Sequence, residues 1–457
     1  MKRIGVMGSG GNAPGVGRCA IDAARYAKQH GIEVIGLRNA GTDLMHEKFD
    51  PDVMTRAIQQ SYFSPIDRDY CHGFMSEYFL LLRPELEYHP VYERSGNFLG
   101  SCTDGIPNGE QLDNFRHNLE ALELDALIVI GGDGSLEIVS NQIETMGLDI
   151  KLMIVGKTID NDLDKTDFSL GMWSAVEHNA AELQRLMVTC SDHSSIQIMQ
   201  VMGRDSPELL AHTVLNARDV YGAPYADMVL GLHLGEEAKV KSSVGLYNME
   251  TINEFLLTRY NRRAAISGLR HYTVIVVGEC MTDIDGNSLE TGQKSGDGAP
   301  IMGGTGKYLE YLLKTQLPKE TRSLYSKIRV TELGHTQRGA DVCDRDKTMA
   351  WNLAVKAVDS LRAGISHHVV TQLDGEFGLI SIADHPGKKK VFDPYGYNVA
   401  MLKDLNISLG DEPKGYWLAK SKELTGRQEF VQPAPLNMLG SPAKGRRTDK
   451  LGLGATS

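Results

Sequence analysis

Three aspartates stand in two short polar stretches of this 457-residue chain: Asp133 in Gly131-Gly132-Asp133-Gly134-Ser135, and Asp160 and Asp162 in Lys157-Thr158-Ile159-Asp160-Asn161-Asp162. Each stretch follows a short apolar run, residues 126–130 and 152–155. Carboxylates so placed can hold a divalent cation and take a proton from an attacking hydroxyl, the two tasks phosphoryl transfer asks of them. Cationic partners for phosphate are present in Arg204, Arg329, His335 and Arg338, each just before, in or after a strand-end loop. A guanidinium meets a phosphate with two parallel N–H bonds. Any one Asp in a turn is more ordinarily a cap or a turn residue, and a lone Arg or His more ordinarily structural. The joint pattern is what points to chemistry.

Such groups need a scaffold that brings distant loops together. The two apolar runs read as buried strands of an open α/β sheet, where ligands bind at the carboxyl ends. A third strand, residues 4–7, runs into Gly8-Ser9-Gly10-Gly11-Asn12-Ala13-Pro14-Gly15, then a helix at 18–30 and a strand at 33–37. Glycines lack the Cβ that keeps a phosphate from backbone N–H groups. This βαβ opening predicts a parallel sheet. Helical patterns continue at 109–122, 136–146, 172–189, 209–216, 249–263, 307–316 and 344–363, and strand patterns at 195–202, 227–234, 272–277 and 327–331. The alternation predicts two doubly wound α/β domains with the active site in the cleft between them. Residues 45–94, aromatic and irregular, read as an insertion. Residues beyond 385 show weak periodicity, and 442–457 read as a poorly ordered tail.

Bulk properties narrow the function classes. A hydrophobic content of 41% is that of a globular chain, and a net charge of −11 argues against non-specific nucleic-acid or anionic-membrane binding. The six cysteines, Cys19, Cys71, Cys102, Cys190, Cys280 and Cys343, are scattered. They suggest neither a zinc site nor a disulfide framework, and a reducing cytoplasm fits best. There is no transmembrane run of about 20 apolar residues, and the first apolar run stops at Gly8, too early for a signal peptide.

Seven motifs in order resemble the phosphofructokinase family: Ser9 to Gly15 (usually Asp where Asn12 stands), Phe98-Leu99-Gly100-Ser101, Gly131 to Ser135, Lys157 to Asp162, Met202-Gly203-Arg204, Gly278-Glu279, and Gly334-His335-Thr336-Gln337-Arg338-Gly339. The match covers roughly residues 1–390. The Gly-Gly-Asp-Gly-Ser motif is shared with NAD and lipid kinases; the combination with the later motifs is specific. The resemblance implies Mg²⁺-dependent transfer from ATP to O1 of fructose 6-phosphate, with Asp160 as general base, Asp133 at the metal and Asp162 supporting it. Gly11, Gly132, Gly134, Ser135 and Lys157 then belong to the donor site, Thr158 touches the transferred group, and Arg204 stabilises its charge. Met202, Gly203 and Glu279 hold the sugar. His335 and Arg338 bind its 6-phosphate, with Arg329 supplied by a neighbouring subunit, which implies a homodimer or homotetramer. The domains implied are 1–171 with 337–390 for the donor, and 172–336 with 391–441 for the sugar phosphate.

Two positions bear on the donor. ATP-using relatives usually have Gly at both 134 and 157; pyrophosphate-using relatives usually have Asp and Lys. This chain has Gly134 and Lys157. An Asp at 134 would collide with the α-phosphate of ATP, which Gly134 leaves free, so ATP is favoured over pyrophosphate. Three departures thin the phosphate-binding set: Thr103 and Ser195 stand where the family has arginines, and Thr42 where a tyrosine often lines the adenine pocket. Lys157, Arg68 or Arg83 could compensate. The departures also leave open a kinase for another sugar phosphate or a non-catalytic regulatory paralogue. Asp160, as a surface-loop carboxylate, is expected to carry little stability.

Overall fold

The computed structural model describes residues 1–52, 79–81, 96–100, 109–132, 147, 149–203, 206–232, 248–265, 271–279, 281, 290–294, 300–302, 304–384 and 389–426. Most of the 45–94 insertion, the helix expected at 136–146 and the 442–457 tail lie outside them.

The strands are β1 (Arg3–Gly8), β2 (Glu33–Leu37), β3 (Phe79–Leu81), β4 (Ala126–Gly131), β5 (Lys151–Gly156), β6 (Ile196–Val201), β7 (Met228–Leu230) and β8 (Thr273–Gly278). They continue with β9 (Glu290–Lys294), β10 (Pro300–Met302), β11 (Ile328–Glu332), β12 (His368–Leu373) and β13 (Glu376–Ser381). One sheet runs β13-β12-β5-β4-β1-β2-β3; a second runs β11-β6-β8-β7. The second is parallel throughout. In the first, only the edge strands β3 and β13 pair antiparallel.

Central strands of a doubly covered sheet are buried on both faces, so they read as continuous apolar runs. Ile4, Val6, Ile128 and Ile130 point to one core, Ile35, Leu37, Leu127 and Val129 to the other. Each such side chain contributes about 1.5–3 kcal/mol on burial. Helices α1 (Val16–Gln29) and α8 (Asp344–Arg362) pack together over the first face, and α2 (Gly109–Ala121) covers the second. In the second sheet, α3 (Met172–Ser191) and α4 (Glu208–Asn216) cover one side, and α5 (Met249–Ala264) with α6 (Thr305–Thr315) the other. One continuous cluster links both sheets through α1, α3, α4 and α8. The fold is thus two doubly wound α/β units around a shared wall.

Connectivity places the binding crevice. The chain leaves β1 for β2 on one side and returns to β4 on the other. The strand order therefore reverses between β1 and β4, and the carboxyl ends of these strands lie at the switch point where open α/β sheets bind ligands. Several elements were not anticipated. β12 and β13 form a hairpin around Asp374-Gly375, both with positive φ (53° and 79°). The weakly periodic stretch past 385 carries α9 (Tyr397–Asp404) and α10 (Tyr416–Gly426), with α7 (Lys319–Ser323) earlier in the chain.

Candidate active site

Three turns meet at the carboxyl ends of β1, β4 and β5. Ser9 N donates to Ile130 O at 2.9 Å, and Lys157 N to Gly131 O at 2.9 Å. These bonds extend the parallel ladder one residue past each strand and set the 9–15 turn, Gly132 and Lys157 side by side. The Lys157 ammonium crosses to donate to the Gly11 carbonyl. A Cβ built on Gly132 would stand 3.4 Å from the Lys157 carbonyl oxygen.

The Lys157–Asp162 loop is held by a residue the sequence reading passed over. Asn161 takes a left-handed conformation (φ 53°), which asparagine tolerates better than most residues. Its Oδ1 accepts from Ser169 N at 2.9 Å and its Nδ2 donates to Asp167 O at 3.0 Å. Ser169 Oγ donates to Thr158 O at 2.7 Å, and Asp160 N to Thr158 Oγ1 at 3.1 Å. These bonds fix Asp160, which is only 8% exposed. Asp160 is therefore a buried carboxylate, not the surface-loop residue expected, because the loop folds back under Ser169 and Leu170. Asp162 is half-buried, its carboxylate 3.7 Å from Lys389 Nζ.

Lys157 dominates the electrostatics. It is 5% exposed. Burial, and secondly the positive charge of Arg338, depress its ammonium to about 7, while Asp160 acts in the opposite sense.

The turn Gly334–Gly339 ties this cluster to the second sheet. Arg338 Nη1 donates to Asn12 O at 3.3 Å, and Asn12 Nδ2 returns a bond to Arg338 O at 3.1 Å. Asn12 Oδ1 also accepts from Asn97 N at 3.0 Å. An aspartate there could accept but not donate, so of these bonds the one to Arg338 O is what the asparagine adds. The neighbouring Gln337, fully buried, faces the other way. Its Oε1 accepts from Met202 N at 3.3 Å and Asn179 Nδ2 at 2.9 Å, and its Nε2 donates to Gly334 O at 3.0 Å. Glu279 Oε1 accepts from Gly203 N at 3.2 Å. Met202, Gly203, Glu279 and Gln337 thus form one group at the ends of β6 and β8.

Gly11, Gly132, Lys157, Thr158, Asp160 and Arg338 form the first group; Met202, Gly203 and Glu279 form the second. His335 is exposed, and its side chain has no hydrogen bond or ion pair with another described residue; the same holds for the half-buried Arg329 on edge strand β11. Asp133, Gly134, Ser135 and Arg204 lie outside the described residues, as do Thr103, Arg68 and Arg83. Ser195 is fully buried, its hydroxyl donating to Cys190 O at 3.3 Å, so this position serves the core and not a ligand. Asn161 and Gln337 were overlooked as positioning residues. Their only sequence signal is an uncharged amide inside each charged motif.

Comparison with known proteins agrees with this geometry. The chain is 28% identical over 419 residues to ATP-dependent 6-phosphofructokinase 1 of Nostoc sp., covering 90% of this chain and 99% of that protein. It is 27% identical over 399 residues to the pyrophosphate–fructose 6-phosphate 1-phosphotransferase of Dictyoglomus thermophilum, covering 86% and 96%. Among solved structures, the pyrophosphate-dependent phosphofructokinase of Marinobacter aquaeolei matches with a TM-score of 0.59 at 18% identity, over 92% of this chain and 91% of that one. The phosphofructokinase of Saccharomyces cerevisiae gives 0.59 at 18%, this chain spanning 45% of the yeast chain. The two solved structures speak for the fold alone. The family model for phosphofructokinase matches residues 3–361, and on that match, with the glycine turn, the Lys157–Asp162 loop and the 334–339 turn gathered at one crevice, this chain belongs to the phosphofructokinase family.

Proposed function

We propose that the chain is a 6-phosphofructokinase that transfers the γ-phosphoryl group of ATP to O1 of fructose 6-phosphate, giving fructose 1,6-bisphosphate. One observation carries this reading: the 334–339 turn joins a glycine turn beside a buried carboxylate to a group at the ends of β6 and β8. That arrangement sets a donor beside an acceptor, and phosphoryl transfer is mostly positioning and charge stabilisation.

In the proposed reaction Asp160 takes the proton of the sugar O1 hydroxyl as the O1–P bond forms and the bond from phosphorus to the ADP oxygen breaks. The Gly11 N–H and Lys157 hold donor phosphates, with Gly132, Gly134 and Ser135 lining the same space. Thr158 contacts the transferred group, and Arg204 stabilises its charge. Met202, Gly203 and Glu279 orient the sugar. His335 and Arg338 take the 6-phosphate, Arg338 leaving the Asn12 carbonyl to do so, and Arg329 is supplied by a neighbouring subunit of a homodimer or homotetramer. The first sheet with its helices (residues 1–171 and 337–390) is the donor domain. The second (172–336 and 391–441) is the sugar-phosphate domain.

Magnesium fits the donor set. Among the described residues no three or more His, Cys, Asp or Glu converge as a metal cage. Mg²⁺ on a nucleotide needs only one or two carboxylates, with water and phosphate oxygens completing its shell. Asp133 would hold it, with Asp162 in support. When bound, the ion neutralises the charge on the transferring phosphate. No described helix is long and apolar enough to cross a membrane, and a cytoplasmic location is part of the proposal.

A coupled assay with purified protein, Mg²⁺, fructose 6-phosphate and either ATP or pyrophosphate tests the function. No turnover with either donor across a panel of sugar phosphates would refute it. Buried Lys157 beside the glycine turn favours one second reading, pyrophosphate as donor, and kcat/KM for the two donors decides between them.

A further inference from the structure

The loop that carries Thr158, Asp160 and Asp162 is braced from inside by Asn161 and Ser169. Its outer side meets residues 389–390, a stretch outside the sequence motifs. Leu163 and Lys389 form an antiparallel bridge, and Lys390 N donates to Asp162 O at 2.9 Å. Two residues on, Phe392 is buried in the cluster that links both sheets, so the stretch is anchored where it crosses.

The Lys390 side chain reaches further than its backbone. Its ammonium donates to Asp167 O at 3.0 Å, the carbonyl that also accepts from Asn161 Nδ2 at 3.0 Å. The same ammonium stands 3.7 Å from Glu208 Oε1. Glu208 lies in the first turn of α4, four residues beyond Arg204, and is buried. Its other oxygen lies 3.3 Å from His212 Nε2, one turn along α4. Burial works against the Glu208 charge, but His212 and Lys390 outweigh it and hold the carboxyl below its ordinary value. A compact ammonium with three donors can serve a carbonyl and a carboxylate at once. Phe168, next to Asp167, meets the same helix, its ring 5.9 Å from that of His212.

Lys390 therefore touches two elements with different tasks. One is the loop that aims Asp160 and Asp162. The other is the helix that begins just after the Met202-Gly203-Arg204 turn and packs on the second sheet. Transfer between groups bound on two sheets depends on their register, and a displacement of about 1 Å can cost about a hundredfold in rate. A half-buried lysine with a partner on each side is suited to keep that register.

We propose that Lys390 is a positioning residue, which straps the loop carrying Asp160 and Asp162 to α4 and so holds the base in register with the sugar site. This role rests on the reading of Asp160 as the general base. Lys390 acts through the loop, and no bond is made or broken at it.

The test uses the full-length protein and two readouts: steady-state kinetics with fructose 6-phosphate and either donor, and hydrogen exchange followed by mass spectrometry. Lys390→Met keeps the stem and removes the charge. It should lower kcat at least about tenfold, with each KM within about threefold of wild type. Exchange over 158–169 should quicken at least about tenfold, while α1 exchanges as in wild type. Lys390→Arg, which can still serve a carbonyl and a carboxylate, should restore kcat to within about threefold. Glu208→Gln weakens the pair from the other side and should move both readouts in the same direction; it carries the test if Lys390→Met does not fold. Adding it to Lys390→Met should lower kcat less than about twofold further, because one link has been cut twice. A kcat kept within about threefold in Lys390→Met, or a loss just as large in Lys390→Arg, overturns the proposal. So does exchange that quickens equally in α1 and the loop, because Lys390 would then be a general stabiliser. A wild type inactive with both donors refutes the proposed activity alone, and exchange then decides: quickened only over 158–169 in Lys390→Met, the strap stands; unchanged there, it falls.

Discussion

Replacing Lys157 with methionine should make the protein more stable and a poorer enzyme. Folding takes this ammonium from a value of 10.5 to about 7, chiefly by burying it. At pH 7 the unfolded chain carries the charge fully and the folded chain about half, so the buried lysine costs the fold about 4 kcal/mol. Methionine has a similar volume and no charge to desolvate. It forfeits the bond to the Gly11 carbonyl, about 1.5–3 kcal/mol for a charged donor. The net is a gain of about 1–3 kcal/mol, read as a rise of a few degrees in Tm by scanning calorimetry. The sign with pH is fixed by the direction of the shift. A lysine whose folded value is depressed burdens the fold fully below about 7. Between 7 and 10.5 the unfolded chain binds a proton the folded chain lacks, so wild-type stability rises with pH and the burden fades. The advantage of Lys157→Met should therefore be largest below pH 7 and gone by about pH 8–9, where the fading burden no longer exceeds the lost bond to Gly11. A variant that melts lower than wild type at pH 7, or an advantage unchanged between pH 7 and 10, would refute the reasoning.

Asp160→Asn keeps the shape of the buried carboxyl but not its basicity; kcat should fall about 10²–10⁴-fold with the Tm nearly unchanged, and a loss below tenfold would remove Asp160 as the base. Gly134→Asp should abolish turnover with ATP, because a carboxylate enters the space of the α-phosphate, while any turnover with pyrophosphate survives or rises; kcat/KM for both donors is the readout. Lys157→Gly should weaken pyrophosphate use strongly and leave ATP use within about tenfold, roughly 1.4 kcal/mol; wild type preferring pyrophosphate strongly would show that Lys157, not Gly134, governs the donor. Gly171→Ala should destabilise by about 2 kcal/mol or more, because Gly171 begins α3 at φ 100° and an added Cβ would stand 2.9 Å from Pro14 O; chemical denaturation measures it, and a neutral result would mean the Pro14 turn yields freely.

The sequence by itself determined the strand cores and the places where chemistry gathers. Strands such as 126–131 and, past its first residue Lys151, 152–156 are buried on both faces, so the residues in them must be apolar, and a run of that kind needs no tertiary knowledge to read. Glycine turns and Asp-rich loops at their ends are equally local. The β12–β13 hairpin is marked locally too, by Asp374-Gly375 between residues 368–373 and 376–381. Only the tertiary structure decided the rest. That Lys157 reaches Gly11, across 146 residues, follows from β5, β4 and β1 lying adjacent, a matter of strand order and not of local pattern. Asp160 is buried because Asn161 and Ser169 bend its loop back, and Ser195 lies in the core because α3 closes over the start of β6. Gln337 and Arg338 are neighbours whose side chains diverge to the two halves of the crevice. A motif gives the identity of such residues, but only packing between two sheets gives the direction in which each one points.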